Sequence, residues 1–300
     1  MQRARRLFLS FGLFAFACGG GSLGERDAST TRDGAPADAG VPDSRVGDGA
    51  ADSGFGDSSF GDSGERDSGG RMDAASTGPG SGGSGGAFPG AQTRTATSAT
   101  VPVPYELYVP TSYDPGTPSP LLSVFHGQGG SGANMRDFWA IAAEAEGFLV
   151  LATSSTGSSG GWVPASDVPR YDAALTDALG AYNIDTSRIY LWGFSAGAHL
   201  VHSIGLENAD TFAAYSVSAG VLAALEGVDG PARASRKIPL DIHIGTDDPL
   251  FPQASSDRSA FLAAGWVEGA NLSFVPFAGG HTVREDQLTE IWAFLARFRL

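Results

Sequence analysis

The residue pattern in this chain that is best suited to chemistry is a serine with one glycine two positions before it and another two positions after it. Residues 193–197 read Gly-Phe-Ser-Ala-Gly, after an apolar segment at 189–192 and before a segment with helical spacing of apolar residues. This context predicts a tight turn from a strand into a helix, with Ser195 exposed beside the first N–H groups of the helix. Glycine at both flanking positions lets strand and helix approach closely. Ser195 is therefore the candidate nucleophile of an acyl-transfer reaction.

Such a reaction needs N–H donors around the oxygen on which negative charge develops. The sequence His-Gly-Gln-Gly-Gly at 126–130 directly follows an apolar segment that is predicted to be a strand. We predict that the backbone N–H of Gln128 is one donor, with that of Gly129 as the alternative. The second predicted donor is the backbone N–H of Ala196, the residue after the serine.

The general base of this chemistry is a histidine, and the chain has five. His126 precedes the serine and is expected to brace its loop. His199 and His202 lie on the helix that leaves the turn, too close in sequence to reach the serine from the other side. His243 lies inside an apolar strand, which is typical of a core residue. His281 lies after the last predicted strand and before the last predicted helix, the position that a Ser-Asp-His chain order requires, so it is the predicted base.

An acid that orients the histidine is expected after the preceding strand. Residues 245–249 read Gly-Thr-Asp-Asp-Pro and follow the apolar segment at 242–244. A carboxylate here would accept the imidazole N–H, fix its tautomer and stabilise the imidazolium. Asp248 is favoured over Asp247. The structural alternative is that either residue caps the turn or helix that follows.

These residues are placed by alternating apolar, β-branched segments and segments of helical periodicity. Strands are predicted at 105–109, 121–125, 148–152, 189–192, 214–217, 239–244 and 272–277. Helices are predicted at 135–146, 171–182, 196–206, 255–264 and 285–298. The alternation predicts an α/β fold with a mostly parallel sheet covered by helices on both faces. The candidate residues all follow strands, and the carboxyl ends of parallel strands gather functional residues.

The N-terminus has the features of an export signal. Residues 1–17 combine a basic start with an apolar stretch that is too short to span a membrane, and they end in small residues. The only cysteine of the chain, Cys18, follows directly and is the predicted site of lipidation, as in a bacterial lipoprotein. Simple cleavage and secretion is the alternative. A single cysteine excludes a disulfide within the chain.

Residues 18–95 are predicted to be a linker rich in glycine, serine and aspartate, because they hold too few apolar residues to form a core. Aspartates recur there about every five residues, but a calcium site needs six or more converging oxygens, so no metal site is predicted. Residues 96–300 are predicted to form one catalytic domain. The chain carries a net charge of −14, which argues against binding to nucleic acid.

Together these motifs resemble a family of secreted esterases that includes polyhydroxybutyrate depolymerases and feruloyl or acetylxylan esterases. The resemblance covers about residues 100–300 and rests on the segments at 126–130, 182–185, 188–190, 193–197, 245–249 and 278–282. It implies an α/β-hydrolase fold without a large cap domain, and a serine carboxylic-ester hydrolase that forms an acyl-enzyme without a cofactor.

Trp162 and Asp172 also match the layout of this family. Trp162 is the candidate substrate-binding residue, and filling the edge of the core is its alternative role. The chain departs from the family by lacking the disulfides of many secreted members and by a loop at 153–161 that is unusually rich in serine and glycine.

The expected partners are an ester substrate, in some cases polymeric, and a membrane contacted through the lipidated N-terminus. The expected location is outside the cytoplasm, on the cell surface or in the periplasm, or secreted. Two alternatives stay open: a serine peptidase of the same fold, and a non-catalytic polymer-binding lipoprotein on a hydrolase scaffold.

Overall fold

Eight strands form one sheet in the computed structural model, which describes residues 79–84, 86, 88–97, 100–222 and 230–300. The strands are β1 (Gly90–Ala96), β2 (Val103–Val109), β3 (Ser119–Phe125), β4 (Leu149–Ala152), β5 (Ile184–Phe194), β6 (Ala214–Ser218), β7 (Leu240–Gly245) and β8 (Leu272–Phe277). Their order across the sheet is β1-β2-β4-β3-β5-β6-β7-β8. Only the β1–β2 and β2–β4 pairs in this order are antiparallel, so the predicted mostly parallel sheet is confirmed.

Helices cover both faces of the sheet. They are α1 (Gly132–Glu146), α2 (Pro164–Ala181), α3 (Ala196–Glu207), α4 (Phe251–Ala263) and α5 (Leu288–Leu295). Successive residues of a strand point to opposite faces, and β3 shows the division. Val124 packs in a core with Trp139 of α1 and Trp292 of α5. Its neighbour Ser123 accepts a hydrogen bond from the hydroxyl of Tyr171, on α2, at 2.9 Å.

All seven predicted strands and all five predicted helices occur, with some different ends. Helix α2 begins at Pro164 rather than at 171, because the buried Asp167 in its first turn accepts the N–H of Val163 and fixes the start of the helix. The predicted helix at 285–298 divides into a single 3-10 turn, Glu285–Gln287, followed by α5. The side chain of Gln287 accepts the backbone N–H of Arg284 and holds that turn.

The folded part that the structure describes begins before the predicted boundary between linker and domain at 95/96. All of strand β1 except Ala96 lies inside the predicted linker, and the strand pairs along its whole length with β2. Further upstream, the backbone N–H of Ser81 donates to Ile184 O at 2.8 Å, and that of Thr186 donates to Pro79 O at 3.1 Å. These contacts use backbone groups and small residues, which is why composition alone assigned the segment to the linker.

The predicted signal at 1–17, the predicted lipidation site Cys18 and the linker up to residue 78 lie outside the described residues. Among the helices of the described part of the chain, none is both long and apolar enough to cross a membrane.

Candidate active site

Ser195 occupies a strained turn between the end of β5 and the start of α3. Its backbone dihedral angles are φ 53° and ψ −118°, a region that side chains rarely adopt and that costs on the order of 1–3 kcal/mol. The two flanking glycines make the turn possible. A Cβ atom on Gly193 would overlap the carbonyl oxygen of Gly197, and one on Gly197 would overlap the carbonyl oxygen of Phe125. The turn therefore projects the serine from the carboxyl edge of the sheet.

A continuous line of hydrogen bonds leads from this serine to a buried carboxylate. The Oγ atom of Ser195 lies 2.7 Å from Nε2 of His281, and Nδ1 of His281 lies 2.9 Å from Oδ2 of Asp248. The carboxylate of Asp248 is fully buried, and its other oxygen accepts the backbone N–H of Leu250 at 2.9 Å. Because a carboxylate only accepts, Nδ1 carries the hydrogen and Nε2 is free to take the serine proton.

The structure distinguishes between the two adjacent aspartates. Asp247 is exposed, whereas Asp248 is buried against the histidine. The backbone N–H of Asp247 donates to Gly279 O at 2.9 Å, which ties the loop after β7 to the loop that carries His281. Asp248 thus has the position of the orienting acid, and Asp247 joins the two loops through its backbone.

The loop after β3 lies directly beside the serine. A Cβ atom built on Gly127 would stand 3.3 Å from Cβ of Ser195. Among the described residues, none accepts a hydrogen bond from the backbone N–H of Gln128. Ala196 is the first residue of α3, so its N–H has no acceptor within the helix. The N–H of Gly129, the alternative donor, donates to Gly160 O at 3.2 Å, which favours Gln128.

His126 braces this loop as a neutral residue. Its side chain is fully buried, with Nδ1 2.7 Å from Gly127 O and Nε2 3.1 Å from the backbone N of Ser155. Nδ1 therefore donates and Nε2 accepts, which is the arrangement of a neutral imidazole. Burial lowers the pKa of His126, which keeps it uncharged near neutral pH. This geometry agrees with the bracing role that the sequence predicts.

Known proteins with similar sequences and structures identify the fold. The chain is 29% identical over 210 residues to a probable feruloyl esterase C of Aspergillus niger, covering 59% of this chain and 75% of that protein. It is 30% identical over 149 residues to a bifunctional acetylxylan esterase/xylanase of Neocallimastix patriciarum, covering 48% of this chain but only 21% of that protein. A crystal structure of LpqC, a poly(3-hydroxybutyrate) depolymerase from Bordetella parapertussis, matches with a TM-score of 0.51 and 24% identity, over 70% of this chain and 95% of that one.

The chain has the α/β-hydrolase fold. No protein-family model matches it. Its relatives by sequence are named as ester hydrolases, which confirms the predicted resemblance to the esterases of this fold.

The contacts of Trp162 within the chain are structural. Its indole N–H donates to the carbonyl oxygen of His126 at 2.8 Å. Its ring lies edge-on to Phe125, with centroids 5.5 Å apart, and 4.6 Å from the ring of His126. The side chain is half-buried. Trp162 therefore supports the loop after β3, and its contact with a substrate stays a prediction.

The other histidines of the chain lie apart from the hydrogen-bonded line of Ser195, His281 and Asp248, as the sequence predicts. His202 is buried, and burial lowers its pKa to about 3. His243 is buried in β7, where its Nε2 atom is 2.8 Å from Oδ2 of Asp241. His199 is half-buried on α3, where its Nδ1 atom is 3.0 Å from the backbone N of Val221.

Two buried carboxylates beside the site carry no motif in the sequence. Asp257, on α4, accepts the backbone N–H of Leu222 at 2.8 Å. Leu222 belongs to the segment that follows β6. Asp167, in the first turn of α2, accepts two backbone N–H groups of the loop after β4. An acidic residue in the first turn of a helix is the only sequence signal for Asp167, and it does not identify the loop as the partner.

Proposed function

We propose that this chain is a serine carboxylic-ester hydrolase that acts through an acyl-enzyme. The observation that carries the proposal is the hydrogen-bonded line from Ser195 through His281 to Asp248, in which the acid is buried and the serine is not. The distances in this line suit transfer of the hydroxyl proton from the serine to the histidine, which is the step that activates a serine nucleophile.

In the first half of the reaction, Ser195 Oγ attacks the carbonyl carbon of the ester while Nε2 of His281 removes the hydroxyl proton. The buried carboxylate of Asp248 stabilises the imidazolium that forms. The imidazolium then gives its proton to the oxygen of the leaving alcohol. The products of this half are a free alcohol and an ester between the acyl group and Ser195.

Negative charge on the carbonyl oxygen is held by the backbone N–H groups of Gln128 and Ala196. These groups approach the serine from the loop after β3 and from the start of α3. The N-terminus of α3 adds a favourable dipole because the partial positive charge of a helix lies at that end. A preorganised donor of this kind is worth about 10²–10³ in kcat.

In the second half, water attacks the acyl-enzyme with Nε2 of His281 as the base, and the carboxylic acid leaves. The proposed substrates are extracellular esters of the kind named in the relatives: polyhydroxyalkanoates, feruloyl esters or acetylated polysaccharides. An acidic chain with a net charge of −14 favours neutral substrates over anionic polymers.

The proposal extends to location. The predicted signal at 1–17 and the lipidated Cys18 would export the hydrolase and attach it to a membrane, with the catalytic domain on the outer side. Mass spectrometry of the mature N-terminus tests this part independently of catalysis. A diacylated Cys18 supports attachment, and an unmodified Cys18 amine would leave simple secretion.

The decisive test of catalysis compares the chain with its Ser195→Ala variant on short p-nitrophenyl esters. We expect the variant to lose at least about 10⁴-fold in kcat, because the nucleophile is gone. Circular dichroism and thermal melting verify that the variant is folded. A fluorophosphonate probe should label the unaltered chain at Ser195 and leave the variant unlabelled. Equal hydrolysis by both proteins would contradict the proposal, and an unlabelled, inactive native chain would favour a non-catalytic polymer-binding lipoprotein.

A further inference from the structure

Asp167 joins the two ends of a loop with one buried carboxylate. The loop between β4 and α2, residues 153–163, leaves the sheet beside the active site. Oδ1 of Asp167 accepts the backbone N–H of Thr156 at 3.0 Å, and Oδ2 accepts that of Val163 at 2.7 Å. Asp167 is only 2% exposed, so its carboxylate is shielded from water. Hydrogen bonds to a charged acceptor are about twice as strong as neutral ones.

The composition of the β4–α2 loop makes this anchor important. Residues 154–161 read Ser-Ser-Thr-Gly-Ser-Ser-Gly-Gly, without a single apolar side chain that could pack. Ser159 adopts a positive φ of 60° and Gly160 one of 68°. A segment of this kind keeps a large conformational entropy unless hydrogen bonds restrict it. The conformation of the loop is therefore set by bonds to its backbone, and Asp167 supplies two of them.

The anchored loop in turn holds the segment that carries the predicted oxyanion donor, residues 126–130. It contacts His126 from two sides. The backbone N–H of Ser155 donates to Nε2 of His126 at 3.1 Å, and the indole N–H of Trp162 donates to its carbonyl oxygen at 2.8 Å. Both donors lie next in sequence to residues bonded by Asp167, since Thr156 follows Ser155 and Val163 follows Trp162.

The loop also contacts Gln128 and its neighbour directly. The side-chain amide of Gln128 donates to Ser159 O at 2.9 Å, and the backbone N–H of Gly129 donates to Gly160 O at 3.2 Å. These bonds use the side chain of residue 128 and the N–H of residue 129, and they leave the backbone N–H of residue 128 to a substrate. The N–H of residue 128 lies on the Gly127–Gln128 peptide plane, and Nδ1 of His126 contacts the carbonyl oxygen of that plane at 2.7 Å. The β4–α2 loop therefore holds this plane from one side through His126 and from the other through the bonds at residues 128 and 129.

From these contacts we propose that Asp167 is a positioning residue of the oxyanion site. It sets the direction of the Gln128 N–H through the β4–α2 loop without touching the substrate. This inference rests on the proposed function. A displacement of about 1 Å far from the chemistry can cost about 10²-fold in rate, because the donor must point at the oxygen of the tetrahedral intermediate.

The variant Asp167→Asn keeps the size of the side chain but can accept only through one oxygen and turns an NH₂ group toward the other backbone N–H. We expect kcat on p-nitrophenyl butyrate to fall about 10–100-fold while KM changes less than about twofold, since the ground-state ester depends little on the oxyanion donors.

A tetrahedral adduct separates this role from general damage to the fold. An alkylboronic acid forms such an adduct with Ser195 and uses the oxyanion site in doing so. We expect its inhibition constant to rise in Asp167→Asn by about the same factor by which kcat/KM falls. The endpoint of fluorophosphonate labelling counts the active sites, and all rates are corrected by that count. A lower count with an unchanged inhibition constant would make Asp167 merely structural and overturn the proposal.

Two further variants complete the test. Asp172→Asn makes the same change on the same helix, five positions later. Among the described residues, the carboxylate of Asp172 has no hydrogen bond to the β4–α2 loop. The kcat of this variant and its inhibition by the boronic acid should match those of the unaltered chain.

Trp162→Phe keeps an aromatic ring but removes the N–H that holds His126. It gives a second measurement of the same effect if Asp167→Asn does not fold. A fall in kcat with constant KM supports the proposal, and unchanged kcat contradicts it. Absence of Ser195 labelling in the unaltered chain would instead overturn the proposed function itself.

Discussion

The carboxylate of Asp248 lies 2.9 Å from Nδ1 of His281, although 33 positions separate the two residues in the chain. The sheet explains how they meet. Their loops follow β7 and β8, neighbouring parallel strands in which Gly245 pairs with Phe277. Both loops therefore start at the same edge of the sheet, and the bond from Asp247 N–H to Gly279 O joins them. The topology, rather than any local motif, creates this pair.

The first prediction concerns the choice between the two adjacent aspartates. Asp248→Asn should lower kcat by about 10³–10⁴-fold, because an amide favours the wrong tautomer of His281 and cannot stabilise its charged form. Asp247→Asn should retain activity within about threefold of the unaltered chain, since the side chain of Asp247 is exposed. Steady-state kinetics on a p-nitrophenyl ester measures both. Similar losses in the two variants would contradict the assignment of the acid.

The second prediction tests the packing of the serine turn. Gly197→Ala places a Cβ atom on the carbonyl oxygens of Phe125 and His126, which are backbone atoms that cannot move without shifting β3. We expect this variant to lose more than about 3 kcal/mol of stability and most of the proposed esterase activity. Gly180→Ala is the matched control, because no atom lies within 4 Å of the added Cβ on α2. That variant should gain up to about 1 kcal/mol, since alanine favours a helix over glycine. Urea unfolding of both variants gives the comparison.

The hydrogen-bonded group of Ser195, His281 and Asp248 was predictable from the sequence, because each residue follows a recognisable apolar strand in a fixed order along the chain. Their meeting requires only a parallel sheet, which the alternation of strands and helices also predicts. Asp167 and Asp257 were not predictable, because their partners are backbone N–H groups of loops and any residue supplies such a group. The sequence also does not show that the N–H of Gly129, the alternative donor, is bonded to Gly160 O.

Strand β1 shows a second limit of the sequence. Its residues, Gly-Ala-Gln-Thr-Arg-Thr-Ala, are mostly small or polar, because it is an edge strand that faces water along much of its length. Its attachment depends on the ladder with β2 and on polar side chains, such as Arg94, which pairs with Asp177 at 3.0 Å. The composition of β1 therefore resembles that of the linker, and only its pairing with β2 identifies it as a strand.

The third prediction follows from this domain boundary. A fragment of residues 97–300 lacks β1 and exposes the edge of β2, whereas a fragment of residues 79–300 keeps β1 and the segment that bonds to Ile184. We expect the shorter fragment to be less stable by at least about 3 kcal/mol, because ladder hydrogen bonds contribute roughly 0.5–1.5 kcal/mol each. The longer fragment should unfold at the same urea concentration as the whole chain. Equal stability of both fragments would contradict this prediction and support the predicted domain boundary at 95/96.

The last prediction concerns stability in acid. His202 is fully buried between Tyr215 and Phe261, and burial lowers its pKa to about 3. In the unfolded chain its pKa is near the ordinary value of about 6.5. Between pH 3 and pH 6.5 the imidazole is protonated in the unfolded state but not in the folded state. The free energy of unfolding is therefore undiminished by this group above pH 6.5 and falls as the pH drops toward 3. The loss for one such group is about 1.4 kcal/mol for each pH unit.

The variant His202→Gln removes the titrating imidazole while keeping a polar side chain near Tyr215 Oη. Between pH 7 and pH 5, its free energy of unfolding in urea should fall by about 2 kcal/mol less than that of the unaltered chain. Asp172 gives a control of opposite sign. Burial raises its pKa to about 6, so the folded state binds the proton first and gains stability as the pH falls below that value. Asp172→Asn should therefore steepen the loss in acid where His202→Gln flattens it. Parallel curves for all three proteins would show that neither buried group controls the stability of the hydrolase in acid.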